Sequence, residues 1–169
     1  MIGIFHHGPV QEIKLQRPPV NALNDELLEA IESAVLAAPA SGARAIVLSG
    51  GEKAFSGGLD VPYLMGLDRA GLKRCWSRFF AAARAIAASP IPTAAAIGGH
   101  NPAGGCVLAL CCDYRVMARG PFRMGLNETQ VGLVAPEGVQ ALMRRVVGPQ
   151  RAERLLVGGQ MIDSATAHA

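Results

Sequence analysis

Short apolar runs alternate with longer segments of mixed polarity along this chain. Apolar or alternating residues on either side of Gly8-Pro9 predict a strand, a turn and a second strand. Two later apolar runs predict buried strands, because strands covered on both faces show no polar alternation. A further strand is predicted just after Asp113. The predicted strands are 1–7, 10–16, 44–49, 93–97 and 114–117.

Helical spacing of apolar residues predicts helices between these strands. Asn24 is a typical N-cap, and apolar residues follow it at helical intervals. A second helical segment is expected to break near Gly71 and to stop at Pro90. Pro102 fits the first turn of a third helix. The predicted helices are 25–38, 64–88 and 102–112, with two more after Ala135 and after Pro149.

Strands alternating with helices predict an α/β fold. We expect a single domain over residues 1–169, because no linker, low-complexity stretch or internal repeat interrupts the pattern. The net charge of +3 suits an anionic ligand without identifying one. The four cysteines, at 75, 106, 111 and 112, have no metal-ligand spacing and predict buried, reduced thiols.

Two function classes find no support in the sequence. No Ser-His-Asp order and no metal-ligand spacing is present, so neither a hydrolase triad nor a metal site is expected. No leader-like segment precedes the first predicted strand, and no apolar run approaches the roughly 20 residues of a membrane helix. These patterns predict a cytoplasmic protein with no membrane partner.

Two glycine-containing segments and one acid are the candidate chemistry. The first, Phe55-Ser56-Gly57-Gly58-Leu59-Asp60, follows a predicted strand, and α/β sheets bind ligands at the carboxyl ends of strands. The second, Pro102-Ala103-Gly104-Gly105-Cys106, opens a predicted helix, where free N–H groups lie. The acid is Glu128, whose neighbours are mostly apolar. Backbone N–H groups and one carboxylate can together stabilise an enolate and move a proton.

Each feature also has a plainer interpretation. Gly57 and Gly58 can form an ordinary turn, and Gly104 can simply allow close helix packing. Glu128 can be a solvent-facing acid in a turn. The combination of the two segments with a partly buried acid favours the chemical interpretation, because burial raises the pKa of a glutamate toward the operating pH of a base.

These segments, together with Cys112-Asp113-Tyr114-Arg115 and Gly125-Leu126-Asn127-Glu128-Thr129-Gln130, resemble the crotonase superfamily of acyl-CoA enzymes. Within it they look like the mitochondrial-type enoyl-CoA delta isomerases. The resemblance implies a crotonase-like fold of repeated ββα units. It covers essentially the whole chain, whereas family members continue into C-terminal helices, so that helical part is expected to be missing here.

The resemblance also implies roles for individual residues. The Leu59 and Gly104 N–H groups would hold the thioester oxygen. Glu128 would take a proton from carbon 2 of a 3-enoyl-CoA and return one at carbon 4, giving trans-2-enoyl-CoA for fatty acid β-oxidation. Coenzyme A is then part of the substrate and no cofactor is implied. The residues expected to surround the substrate are Asn21, Ala22, Ser56, Gly57, Gly58, Asp60 and Asn127.

Related activities stay open at this point. Hydratases of the family carry a second glutamate where this chain has Val107, which argues against ordinary hydration. Another acyl-CoA reaction or an inactive scaffold are alternatives. The family usually assembles as a trimer or a dimer of trimers, which we expect only if the C-terminal region is present.

A different class of function, nucleic-acid binding, rests on a basic segment. Its cations are Arg69, Lys73, Arg74, Arg78 and Arg84. Interleaved aromatic residues make an ordinary amphipathic helix the better interpretation, so nucleic acid is an improbable partner. Three residues have open roles: Glu137 as a second acid or a helix start, His100 as pocket lining or a loop residue, and Lys53 as a phosphate partner or a solvated lysine.

Overall fold

The computed structural model describes residues 1–168 and contains a five-stranded sheet and a two-stranded sheet. The strands are β1 (Ile2–His7), β2 (Val10–Leu15), β3 (Ala45–Ser49), β4 (Thr93–Ile97), β5 (Asn101–Pro102), β6 (Tyr114–Met117) and β7 (Met124–Gly125). In the main sheet the order is β1-β2-β3-β4-β6, with β1 antiparallel to β2 and all other neighbours parallel. All five strands predicted from the sequence are confirmed. The short strands β5 and β7 form the second, parallel pair.

Helices follow pairs of strands, as in a ββα repeat. They are α1 (Asp25–Ala37), α2 (Val61–Met65), α3 (Arg69–Ala87), α4 (Ala103–Cys111), α5 (Glu137–Val147), α6 (Pro149–Gly158) and α7 (Ser164–His168). A 3-10 turn covers Glu128–Val131. The units β1-β2-α1 and β4-β5-α4 show the repeat, so the predicted α/β fold of ββα units is confirmed.

The core lies where the sheet, α1, α3 and α4 pack together. Helix α1 buries one leucine- and isoleucine-rich face, and α3 packs against it. Helix α4 is apolar on all sides, and every residue from Gly104 to Cys111 is buried, because it lies between other elements rather than at the surface. Gly104 lies in the first turn of this buried helix.

Two predicted helix details are wrong. The helical segment 64–88 breaks at Gly66, not near Gly71. Gly71 lies in the first turn of α3, and its N–H donates to the Asp68 carboxylate, which caps that helix, at 2.7 Å. Pro102 occupies the N-cap of α4 instead of its first turn, because it belongs to strand β5.

The four cysteines are free and buried, as predicted. Burial raises the pKa of Cys75, Cys106 and Cys112 to about 12 and that of Cys111 to about 11.

Within residues 1–168, no helix combines the length and the apolar character needed to span a bilayer.

The basic residues of α3 are partly neutralised by α1. The Arg74 Nε lies 3.0 Å from Asp25 Oδ2, and the Arg78 Nη1 lies 2.7 Å from Glu29 Oε2. Phe79, on the same helix, is buried in the hydrophobic core. These ion pairs favour the interpretation of α3 as an ordinary amphipathic helix.

Removing the N-cap side chain of α1 tests how much this cap stabilises the folded protein. The Asn24 Oδ1 accepts the Leu27 N–H at 3.1 Å, satisfying one of the helix's free donors. We expect Asn24→Ala to lower the free energy of unfolding by about 1 kcal/mol in urea denaturation. Asn24→Asp keeps an acceptor oxygen at this position and is the matched control. Equal losses in both variants would contradict the capping role.

Candidate active site

Short backbone pairings outside the main sheet bring three loops together. In the β5–β7 pair, Pro102 lies opposite Gly125, and an isolated parallel bridge joins Leu23 to Leu59. Gly104 comes shortly after β5, and Glu128 comes shortly after β7. Because neighbouring parallel strands end at the same edge, Gly104 and Glu128 leave this small sheet on the same side.

The Leu59 N–H has no protein acceptor within residues 1–168. In the bridge, the Leu23 N–H donates to Gly58 O at 2.8 Å, and the Asp60 N–H donates to Leu23 O at 2.9 Å. Successive N–H groups of an extended chain point in opposite directions. The bridge therefore uses the groups on either side of the Leu59 N–H and directs that N–H away from Leu23.

The Gly104 amide lies beside this N–H. Gly104 is buried in the first turn of α4, and in the part of the chain that the structure describes its N–H also lacks a protein acceptor. A Cβ added at Gly104 would lie 3.3 Å from Leu59 N, and one added at Gly58 would lie 3.2 Å from Gly104 N. Gly58 has a φ of +84°, which also favours glycine. Two adjacent donors are therefore available to one acceptor.

Ala103 contributes a strained backbone at the same place. Its φ of 46° lies in the left-handed region, which costs a residue with a Cβ on the order of 1 kcal/mol or more. Its Cβ is among the atoms closest to Gly58. The strain falls between β5 and the Gly104 N–H, where the chain turns into α4.

Glu128 begins the 3-10 turn and is half-buried. Its Oε2 is buried and has no hydrogen-bond partner within residues 1–168. Burial raises the pKa of the Glu128 carboxyl, and a hydrogen bond from its own backbone N–H opposes this only in part. A carboxyl whose pKa is raised by burial is better suited to act as a general base than a solvated glutamate is.

The turn that carries Glu128 is held on both sides. Strand β7 precedes it, and two side chains anchor it to the end of α6. The Gln130 Nε2 donates to Gly159 O at 2.7 Å, and the Thr129 Oγ1 donates to Leu156 O at 3.4 Å. These contacts fix the backbone of the acid without using its carboxylate.

Cys106 connects the acid to the start of α4. The Glu128 carboxylate contributes to raising the Cys106 pKa, second to burial, so the two side chains lie near each other. Cys106 is in the same helix turn as Gly104. The acid and the Gly104 donor therefore lie in one region, and sequence reasoning missed this proximity of Cys106 to Glu128.

Four residues predicted to surround a substrate also make hydrogen bonds within the protein. The Asn21 Oδ1 accepts the Arg17 N–H at 2.8 Å, and its Nδ2 donates to Phe55 O at 3.0 Å. The Ser56 Oγ donates to Asn21 O at 2.8 Å and accepts the Gly58 N–H at 3.2 Å. These bonds tie the loop of Leu59 to the segment before α1.

Asp60 and Ala22 are joined through Arg17. The Asp60 Oδ2 lies 2.6 Å from Arg17 Nη2, while its Oδ1 accepts the Tyr63 N–H at 3.1 Å and caps α2. The Arg17 Nη1 donates to Ala22 O at 2.8 Å. The Asp60 carboxylate is therefore occupied by contacts within the protein, and Arg17 is a residue whose role the sequence did not indicate.

The remaining candidates lie at the surface or in turns. Gly57 is exposed, and Asn127 is half-buried with its carbonyl accepting the Gln130 N–H at 3.0 Å. The His100 Nδ1 accepts the Arg123 N–H at 3.2 Å, as a loop histidine would. Lys53 is exposed, and Glu137 is the exposed first residue of α5.

A cavity of about 810 Å³ lies next to this site. Its lining includes Cys106 and Gly125 and the apolar residues Leu110, Val146 and Ile162, but not Leu59, Gly104 or Glu128. Within residues 1–168, no group of three or more His, Cys, Asp or Glu side chains is arranged to hold a metal ion.

Neutralising Glu128 should stabilise the protein in a pH-dependent way. A folded-state pKa above the unfolded value means that the ionised carboxylate opposes folding above that pKa and ceases to do so below about pH 4. We expect Glu128→Gln to raise the thermal unfolding midpoint near neutral pH, with the gain shrinking as the pH falls. The exposed Glu137→Gln is the matched control. A gain that grows toward acid pH would contradict the buried-carboxylate interpretation.

Comparison with known proteins identifies relatives of this chain. Mitochondrial enoyl-CoA delta isomerase 1 of Mus musculus is 38% identical over 165 residues, which are 95% of this chain and 57% of the mouse protein. A probable enoyl-CoA hydratase of Rhizobium meliloti is 35% identical over 162 residues, covering 95% of this chain and 62% of that protein. The crystal structure of human mitochondrial delta3-delta2-enoyl-CoA isomerase has a TM-score of 0.94 at 31% identity, covering 98% of this chain and 66% of that one.

The chain thus spans somewhat more than half the length of the curated relatives that it matches. The sequence profile of the enoyl-CoA hydratase/isomerase family matches residues 6–169. The predicted resemblance is therefore confirmed, and this chain belongs to the enoyl-CoA hydratase/isomerase family of the crotonase superfamily.

Proposed function

We propose that this protein shifts the double bond of a 3-enoyl-CoA to the trans-2 position. The observation that carries the proposal is the pair of adjacent Leu59 and Gly104 N–H groups with no protein acceptor in the described chain, together with the half-buried acid Glu128. A thioester oxygen that accepts from both N–H groups gains most as it becomes an enolate oxygen, because its negative charge then grows.

One carboxylate is enough for this reaction. The ionised Glu128 takes a proton from carbon 2, and the electron pair moves through the thioester to give a dienolate held by the two N–H groups. The protonated Glu128 then returns a proton at carbon 4, and the double bond comes to lie between carbons 2 and 3. The substrate neither gains nor loses atoms, and Glu128 ends in the state in which it began.

The coenzyme A portion is assigned to the segment before α1 and to the turn of Glu128. Of the backbone polar groups of Asn21 and Ala22, the Ala22 N–H is without a protein partner in residues 1–168 and can contact the adenine. The Asn127 carbonyl keeps a second lone pair for the acyl-CoA. Asp60 and Ser56 contribute by shaping the loop rather than by touching the substrate.

Hydration is the second candidate, because relatives named as hydratases match this chain nearly as well as those named as isomerases. Addition of water across a double bond uses two acid–base groups. The position of the second hydratase glutamate holds Val107, which is buried in α4, and Asp60 is paired with Arg17. The lack of an acid at position 107 and the pairing of Asp60 favour the isomerase. The cytoplasmic location and the trimeric assembly expected from the sequence stay predictions.

Replacement of the acid is the decisive experiment. We expect Glu128→Gln to lower the turnover of 3-hexenoyl-CoA by about 10²–10⁴-fold, because the base is lost while the shape is kept.

In the wild type, kcat/KM should fall on the acid side at a pH above the usual glutamate range, since burial raises the pKa of the base. A coupled hydratase–dehydrogenase assay reports the trans-2 product, and crotonyl-CoA tests hydration in parallel. A folded wild type without isomerase activity would exclude the proposal in favour of hydration or an inactive scaffold.

Crowding of the two donors is a separate test. A Cβ at Gly104 would lie 3.3 Å from each of Leu59 N, Leu23 Cδ1 and Phe79 Cε2. We expect Gly104→Ala to lower kcat by about 10²–10³-fold, the usual effect of losing one oxyanion donor. Gly138→Ala is the matched control, because Gly138 is also in the first turn of a helix and a Cβ there meets nothing within 4 Å. Equal activity of both variants would contradict the placement of the donors.

A further inference from the structure

The Arg17 guanidinium spans the bridge that orients the Leu59 N–H. Its Nη1 donates to Ala22 O at 2.8 Å, and its Nη2 donates to Asp60 Oδ2 at 2.6 Å. Ala22 immediately precedes the bridged residue Leu23, and Asp60 immediately follows the bridged residue Leu59. One rigid, planar side chain therefore links the two backbone strands at the point where the candidate donor is held.

Asp60 is fixed from three directions. Its N–H donates to Leu23 O at 2.9 Å, its Oδ1 accepts the Tyr63 N–H at 3.1 Å, and its Oδ2 accepts from Arg17. Asp60 therefore has little freedom to move, and it directly follows Leu59 in the chain. Because the Arg17 guanidinium donates to Ala22 O and Asp60 Oδ2 at once, it adds direction as well as energy to this arrangement.

The ion pair is more shielded than the others on this surface. The Arg17 and Asp60 side chains are 26% and 13% exposed, whereas Arg78 and Glu29, which join α1 and α3, are 31% and 59% exposed. Shielding from water strengthens the attraction between charges and makes loss of one partner more costly. The Arg17–Asp60 pair is therefore placed to hold a geometry, and the Arg78–Glu29 pair is an ordinary surface contact.

A second layer of hydrogen bonds supports Arg17 itself. Its N–H donates to Asn21 Oδ1, and the Asn21 N–H donates to Arg17 O at 2.7 Å. Asn21 has a φ of 52°, a left-handed conformation that asparagine tolerates better than most residues. Its Nδ2 then reaches Phe55 O, in the loop that leads to Leu59. The whole network connects the two strands of the bridge and no ligand is needed to complete it.

We propose that Arg17 and Asp60 are positioning residues for the oxyanion donor Leu59. This proposal rests on the proposed enolate chemistry, because it concerns the donor that the enolate oxygen requires. The Arg17–Asp60 clamp acts on the transition state rather than on substrate affinity. A small displacement of Leu59 weakens the hydrogen bond that strengthens as charge develops on the oxygen. The Ala22 N–H assigned to the adenine belongs to the preceding peptide unit, whose carbonyl, Asn21 O, is held by Ser56 and not by Arg17.

The test compares Asp60→Asn and Arg17→Lys with wild type. Asp60→Asn keeps an oxygen to cap α2 but removes the charge, and Arg17→Lys keeps the charge but cannot bridge Ala22 and Asp60. We expect each to lower kcat for 3-hexenoyl-CoA by about ten- to a hundredfold with KM nearly unchanged. The kcat of the double variant should be no lower than that of the less active single variant, because both changes disrupt the same ion pair.

A spectroscopic readout separates positioning from general loss of structure. Acetoacetyl-CoA forms an enolate that absorbs in the near ultraviolet, and the bound enolate fraction at fixed pH reports the strength of the two donors. We expect a lower enolate fraction in both variants at unchanged affinity for coenzyme A. The matched controls are Arg78→Lys and Glu29→Gln, which make the same two kinds of replacement in an ion pair away from the site and should leave kcat and the enolate band as in wild type.

Failure of the proposed function and failure of the positioning role give different results. A wild type with neither turnover nor an enolate band overturns the proposed function itself. An active wild type with unaffected Asp60→Asn and Arg17→Lys variants overturns the clamp alone. Equal falls in kcat in the clamp variants and in the control variants, following their thermal unfolding midpoints, also overturn it, because the effect is then one of stability. If one clamp variant does not fold, the other carries the same comparison.

Discussion

The candidate site depends on the close approach of two backbone segments that are far apart in the chain. The loop ending in Leu59 and the first turn of α4 touch at Gly58 and Gly104, where a Cβ on either glycine would lie within 3.3 Å of the other segment's backbone nitrogen. This approach puts two N–H donors side by side. It also requires both segments to be held by something other than contact with each other, because neither N–H has a protein acceptor in residues 1–168.

The surrounding structure supplies that support at some cost in stability. An N–H without a partner, a half-buried carboxylate and a strained Ala103 each oppose folding. A core shared by the sheet, α1, α3 and α4 offsets them, and α4 is buried along nearly its whole length. Helix α4 also receives the Arg115 guanidinium at its last turn, which donates to Cys112 O at 2.6 Å. The motif around Asp113 therefore serves the scaffold, which in turn places Gly104.

Much of the fold followed from local pattern. The alternation before and after Gly8-Pro9 and the apolar runs of β3 and β4 gave the strands, and Asn24 gave the start of α1. The sequence pattern misplaces the break before α3, because glycine has a weak helix propensity and Gly71 lies inside that helix. In the structure Asp68 caps the new helix, and Gly71 is the residue whose N–H it receives. Capping chemistry outweighed the weak helix propensity of a single glycine.

The sequence by itself determined the residue types of the site: glycines where backbones must meet, an acid with apolar neighbours, and valine at position 107. Only the tertiary structure decided which groups are free to react. It paired Asp60 with Arg17, buried Ser56 and Asn21 in a loop network, and left the Leu59 and Gly104 N–H groups and the Glu128 Oε2 without partners among the described residues. The reason is physical, since a side chain's availability depends on hydrogen bonds to residues distant in sequence, and local pattern carries no information about them.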